Sequence, residues 1–273
     1  MKTLIRDFYQ YRLNHSNKEL DEHNLGKSAI VFAPHQDDET LGCGGTIIRK
    51  KQAGANLQIV FMTDGCRSHA HLMPEIELKS IRANEAVAAA QVLGVDKDDV
   101  LFLEFKDGTL AHNQDKAREK VKEIILRYRP EEIFIPYYRD GVPDHDATNK
   151  IVISALKIGG VNAVIYEYPI WFWRQLPWTS LGNSRQEILA VLKKSLNSGL
   201  GLSLLTNFKC SVQVKDVLEL KRAALEQHKS QMTQLIPNSN WLTLADVANG
   251  EFLACFFQDY EFFRQYTIDF LQK

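Results

Sequence analysis

A chain of 273 residues with 33 Lys and Arg against 34 Asp and Glu carries a formal charge of −1 with histidine neutral. That balance offers no basic surface for nucleic acid or an anionic membrane, and no run approaches the ~18 apolar residues of a membrane span. The 45% hydrophobic content suffices for one sizeable core, in one large domain or one domain with a small lobe.

The four cysteines, at 43, 66, 210 and 255, show no CxxC pairing and read as reduced thiols. The opening MKTLI meets Arg6 and Asp7 at once, so no apolar core of a signal peptide forms. The expectation is a soluble cytoplasmic protein, with self-association left open.

In chain order, residues 1–27 read as a mixed, polar arm packed on the main domain, with Leu4, Phe8 and Leu13 along one side of a short helix. A buried strand is expected at 29–33, and Pro34 stops it. A helix at about 39–53 ends at Gly54, and a second strand spans 57–62. Pro74 opens a helix at about 75–93, followed by a strand at 100–105. The pattern repeats with a helix at 114–128, a strand at 132–136, a helix at 144–158 and a strand at 163–168. Beyond 170 it changes. Aromatic residues crowd around Pro169 and Pro177, helices are expected at 186–196 and 215–230, and strands at 208–214 and 252–257. We divide the chain into an arm (1–27), a main domain (28–205) and a small C-terminal lobe (206–273).

Repeated strand–helix alternation implies an α/β fold, a mostly parallel sheet flanked by helices with right-handed crossovers. The polar motifs all follow strands: HQDD after the first, TDG after the second, DG after the third and RDGVPDH after the fourth. In a parallel sheet those positions share the carboxyl edge, where such sheets keep their sites.

His35, Asp37, Asp38 and Glu39 place four titratable groups in five positions beside a core strand. Burying them is costly unless they pair or bind metal. Acids at a helix start account for the carboxylates but not for His35. The glycines 42, 44 and 45 do not complete a dinucleotide fingerprint, because Ile47 stands at the third position and two carboxylates would repel a pyrophosphate. A catalytic zinc takes three protein ligands and leaves one position open. His35 and Asp38 can supply two, and His145 in PDHDATN is the best candidate for the third. A histidine in a PDH turn also reads as an ordinary helix start. Asp37, left beside the metal, suits proton transfer.

PHQDDE, TDG, Arg82-x-x-Glu85, PDH and the late His228-Lys229-Ser230-Gln231 together resemble the PIG-L / LmbE-like deacetylases over roughly residues 28–232. The resemblance implies a Rossmann-like fold, a divalent metal, usually Zn²⁺ (Fe²⁺ or Co²⁺ also fit), and removal of an N-acetyl group from a GlcNAc-type conjugate. It implies His35, Asp38 and His145 as ligands and Asp37 as general base. Gln36 stands where many members have proline. Val142 stands where many carry a histidine that stabilises the oxyanion or acts as acid, leaving its partner Asp144 as the remaining member of a catalytic pair. An oxyanion donor contributes about 10²–10³ in rate, so Arg67, His69 and Arg139 are candidates to replace it. Trp171 and Trp173, with Arg67, are candidate substrate contacts, since aromatic faces stack on sugar rings. Asp64, Ser230 and Gln231 are candidate supports, and His69-x-His71 reads as a surface loop rather than a second metal site.

Overall fold

In the computed structural model, residues 2–182 and 184–270 are described. The elements in chain order are α1 (Lys2–Ser16), β1 (Lys18–Glu19), α2 (Glu22–Leu25), β2 (Ala29–Ala33), α3 (Asp38–Gln52), β3 (Leu57–Thr63) and α4 (Glu75–Val92). There follow β4 (Val100–Phe105), α5 (Gln114–Tyr128), β5 (Glu132–Pro136), α6 (Pro143–Gly159) and β6 (Ala163–Tyr168). The remainder holds α7 (Arg185–Asn197), α8 (Leu202–Asn207), β7 (Cys210–Gln213), α9 (Leu218–Leu225), α10 (Lys229–Met232), α11 (Glu251–Ala254) and β8 (Tyr260–Ile268).

One eight-stranded sheet runs in the order β1-β7-β8-β6-β5-β2-β3-β4. Strands β2 to β6 are parallel to one another, whereas β8 runs antiparallel to both β6 and β7. The period-2 alternation of β2 explains its burial on both faces. Ala29, Val31 and Ala33 enter one hydrophobic cluster with residues of α3 and α4, while Ile30 and Phe32 enter another with α5 and α6. Strand order reverses at β2, which lies between β3 and β5. The crevice at that reversal, beyond the carboxyl ends of the strands, is where open α/β sheets bind ligands.

The glycines of α3 serve packing. A Cβ at Gly42 would lie 2.4 Å from the Tyr168 ring, and one at Gly45 would lie 2.5 Å from Val214. The helix therefore approaches β6 and the segment after β7 more closely than a side chain allows.

Three expectations are corrected. On α1, Tyr9 and Leu13 are the buried pair, Tyr9 meeting Trp178 at 6.4 Å between ring centroids, while Leu4 and Phe8 are exposed. The helix expected at 215–230 breaks into a 3-10 turn (Lys215–Val217), α9 and α10, with His228 turning inward between the last two. The aromatic run at 252–257 forms α11 and a turn, not a strand. Phe252 and Phe256, four residues apart, meet edge to face at 5.1 Å, which is helical spacing. The last strand is instead β8, which joins β6 to β7.

Candidate active site

The β2–α3 junction sets the geometry. Pro34 ends the strand, and Asp37 occupies the N-cap position with φ 137° and ψ −26°. That backbone lies in a region non-glycine residues rarely enter, at a cost of about 1–3 kcal/mol. The Asp37 side chain makes no capping bond to the helix, so its carboxylate is not consumed by the helix start. Asp38, the first helical residue, accepts the His35 backbone N–H at 3.0 Å through Oδ2.

That same Oδ2 lies 3.3 Å from His35 Nδ1 and 3.3 Å from His145 Nε2. His145 arrives from the first turn of α6, where Pro143 at the helix start turns the chain after β5. His35, Asp38 and His145 thus offer donor atoms within 4.8 Å of one another. A tetrahedral ion with bonds of ~2.0–2.1 Å sets its donor atoms about 3.3 Å apart. His145 is fully buried, and neither ring nitrogen makes a well-aligned hydrogen bond among the described residues, although Nε2 lies 3.3 Å from Asp38 Oδ2 and Nδ1 lies 2.9 Å from an Asp140 oxygen. Two imidazole nitrogens facing one carboxylate oxygen at this spacing fit a cation held among the three side chains.

The outer contacts are built from loops at the same edge. His145 Nδ1 lies 2.9 Å from Asp140 Oδ2. Asp140 in turn accepts the backbone N–H groups of Ile170, Trp171 and Phe172 at 2.8–3.0 Å. Such carboxylate partners orient metal-binding imidazoles. His35 Nε2 faces Asp107 Oδ1 at 3.2 Å and Asp144 Oδ2 at 3.5 Å. Asp144 also accepts the N–H groups of Gly108 and Leu110, tying α6 to the loop after β4. Asp64 accepts the N–H groups of Cys66 and Asp107, so it braces that loop from β3.

Charge follows from these contacts. Burial disfavours charge on Asp38, yet the two imidazoles, His145 foremost, hold its carboxyl well below the usual range. Burial opposes the His145 charge as well, but Asp38 and Asp140 carry it up to about 9. Asp37 goes the other way: burial pushes it up to about 7 while Arg82, with Nη2 3.5 Å from Oδ1, pulls against the rise.

A cavity of about 470 Å³ opens over His35, Asp37, Asp38 and Arg82, walled by Val142, Trp171, Leu242, Leu244 and Val247 among others. A larger cleft of about 900 Å³ lies on the other side of Val142 and Trp171, which line both.

The structure therefore brings His35, Asp37, Asp38, His145 and Asp144 together, with Trp171 at the cavity wall. It separates the others. Trp173 is buried edge-on against Trp178 at 4.9 Å and does not line the cavity. Arg67 is exposed outside the cavity, and Arg139 lines the neighbouring cleft. His69 does line the cavity, but its ring nitrogens engage Ser68 Oγ (3.1 Å) and the Leu242 carbonyl (2.8 Å) while its face stacks on Trp241. His69 and His71 enter no three-donor cluster among the described residues. Gln231 lines the cavity, and Ser230 donates from Oγ and N to the Glu85 carboxylate. Sequence reasoning missed Asp107 and Asp140, although both stand in loops after strands on the shared edge, and it gave Glu39 and His228 no role.

Comparison with known proteins agrees with this geometry. Residues 30–156 match the family described as PIG-L: GlcNAc-PI de-N-acetylase. A diacetylchitobiose deacetylase of Thermococcus kodakarensis is 26% identical over 216 residues, 76% of this chain and 71% of that protein. A 1D-myo-inositol 2-acetamido-2-deoxy-alpha-D-glucopyranoside deacetylase of Rhodococcus opacus is 25% identical over 253 residues, 80% of this chain and 86% of that protein. Among solved structures, the N,N'-diacetylchitobiose deacetylase from Pyrococcus horikoshii superposes with a TM-score of 0.61 at 21% identity, over 97% of this chain and 92% of that one. This last likeness is one of fold.

Proposed function

We propose that this chain, which carries a PIG-L family domain over residues 30–156, is an N-deacetylase that hydrolyses the acetamide of an amino-sugar conjugate. The single observation that carries the reading is the convergence of His35 and His145 on one Asp38 carboxylate oxygen, with the uncapped Asp37 beside them. These three residues would hold a divalent ion, Zn²⁺ in the first instance, because two imidazoles and one carboxylate with a position left open is a zinc donor set. Bound there, the ion supplies Lewis-acid polarisation of the acyl oxygen and lowers the pKa of water.

The protein's own groups do the rest. Asp37 accepts a proton from the attacking water as its oxygen adds to the acyl carbon. The carbon–nitrogen bond then breaks, and Asp37 returns that proton to the departing nitrogen, leaving a free amine and a carboxylic acid that loses its remaining proton to solvent. Arg82 keeps Asp37 in place from 3.5 Å. Asp140 orients His145, while Asp107 and Asp144 face the outer nitrogen of His35, so we assign Asp144 a positioning role. Among the described residues, Arg67 and Arg139 lie outside this cavity and His69 has both ring nitrogens engaged, so none of the three takes the part of the histidine expected at Val142, and polarising the acyl oxygen would fall to a bound ion. Trp171 forms part of the wall against which a sugar ring would lie.

The test is a panel of N-acetyl amino sugars and their conjugates, with free amine and acetate measured and metal content determined on the same sample. Release of both products in equal amounts, in proportion to bound metal, supports the reading. Metal bound without turnover on any member of the panel rejects it.

A further inference from the structure

The mechanism leaves unused a buried pair directly behind the catalytic corner. Glu39 and His228 are both fully buried. Glu39 Oε2 accepts the backbone N–H of Asp37 at 3.0 Å. Its other oxygen, Oε1, accepts the Thr40 hydroxyl at 2.6 Å and lies 3.0 Å from His228 Nε2. His228 is delivered from the break between α9 and α10, 189 residues away in sequence. In a capping box the N-cap amide is taken by the carboxylate at N3, whereas here it is taken by Glu39 at N2. That amide is turned toward Glu39 because Asp37 sits at φ 137°. A strained backbone persists only where its surroundings over-determine it. Here the carbonyl side of Asp37 is held by the Leu41 N–H at 2.9 Å. The preceding Gln36 carbonyl is held by Arg82. The amide side is held by Glu39.

We propose that Glu39, braced by His228, is a positioning residue that locks Asp37 in its strained conformation and so aims the Asp37 carboxylate into the cavity. The inference rests on Asp37 acting as the base. Without the Glu39 carboxylate, the Asp37 amide loses its partner, the backbone relaxes to negative φ, and the carboxylate turns back to cap α3. A displacement of this kind, about 1 Å at a reacting group, costs on the order of 10²-fold in rate. His228 acts one step further away, so its removal costs less and only through Glu39.

The experiment compares Glu39→Ala, Glu39→Gln, His228→Ala and the Glu39→Ala/His228→Ala pair with Asp37→Ala, each in the metal-loaded protein. Glu39→Ala is expected to lower kcat about 100-fold with KM and metal content unchanged. Glu39→Gln keeps an amide oxygen for the Asp37 N–H and is expected to recover to within about tenfold of the parent. The double variant should be no slower than Glu39→Ala alone, because both act on one element. A crystal structure of Glu39→Ala should show Asp37 at negative φ.

If Glu39→Ala keeps full kcat while Asp37→Ala is inactive, this inference fails and the functional reading stands. If Asp37→Ala is itself fully active, the functional reading fails. Loss of metal in Glu39→Ala, or an equal loss in Glu39→Gln, overturns the positioning role. Should Glu39→Ala not fold, Glu39→Gln and His228→Ala decide the matter: an unchanged kcat in His228→Ala overturns the bracing.

Discussion

Helix α3 buries two sets of charges within its first three turns, and they are built differently. In its middle, Lys221 spends all three ammonium hydrogens, on the Leu41 carbonyl, the Phe256 carbonyl and Glu261 Oε1, at 2.7–2.9 Å. Glu261 is equally full: Oε1 also accepts the Gly45 N–H, and Oε2 accepts the N–H and hydroxyl of Thr46. At the start of the helix, Asp37 has no capping bond, and the His145 ring nitrogens face Asp38 and Asp140 without a well-aligned hydrogen bond among the described residues. The first set is architecture, fastening α9 and β8 to α3. The second has binding capacity left over. Burial of charge alone does not mark a site; incomplete pairing does.

The comparison breaks hardest at Asp37. Asp37→Ala should lower turnover about 10²–10⁴-fold, the range for a positioned general base, with bound metal and unfolding midpoint unchanged. Steady-state rates and metal analysis on the same sample check it, and undiminished turnover would move the base elsewhere. The opposite separation is expected at Lys221→Met. That change strands Glu261 in the core and should cost about 3–5 kcal/mol of stability in urea unfolding, while kcat of the folded protein at low temperature stays at the parental value. If Lys221→Met alters kcat and not stability, the two sets are not the separate devices described here.

Smaller effects sharpen the boundary. Asp140 faces His145 Nδ1 and also fastens the backbone of 170–172 at the cavity wall, and Asp140→Ala should weaken metal affinity about 10–100-fold, read by competition with a chelator. His228 tests the boundary by pH. Burial opposes its charge, but the Glu39 carboxylate more than offsets this, and its pKa is raised above the ordinary imidazole range. A histidine with a raised folded-state pKa contributes stability that is fully present below its unfolded value and is lost as pH rises through the folded one. The urea midpoint should therefore decline above about pH 6.5, and His228→Gln should flatten that part of the curve. An identical slope in the variant would show that another group governs it.

What the sequence disclosed, and what it hid, follows the same division. The strands from 29 to 168 were readable because each is a short apolar run between turn residues, and their alternation fixed one functional edge. His35, Asp38 and His145 were readable because they stand where strands end. Asp140 was hidden, since a lone Asp in a loop looks like turn chemistry until the backbone of 170–172 is seen wrapped around it. Glu39 was hidden by its place in a run of acids that a helix start already explains. The C-terminal elements were misread because Phe252 and Phe256 are apolar at a spacing that a short run cannot distinguish from a strand, and because β8 pairs with strands distant in sequence.

Arg67 is where sequence and structure part most clearly, and its expected effect is the smallest. By position, in the loop after β3, it had the same claim on the substrate as the residues around it. In the fold its backbone N–H binds Asp107 Oδ2 at 3.0 Å, and its guanidinium packs against Gly108, so close that a Cβ there would lie 2.6 Å from Nη1. The side chain is exposed and outside the cavity, whereas Arg82, nearly fully buried, is the cation beside Asp37. Arg67→Ala keeps the backbone bond to Asp107 and should change kcat/KM by no more than about 2-fold, the factor that ~0.5 kcal/mol at a surface position produces. A loss near 100-fold would mean that the loop carries this guanidinium into the cavity when substrate binds. The polar group expected at Val142 would then be supplied by motion rather than by the resting fold.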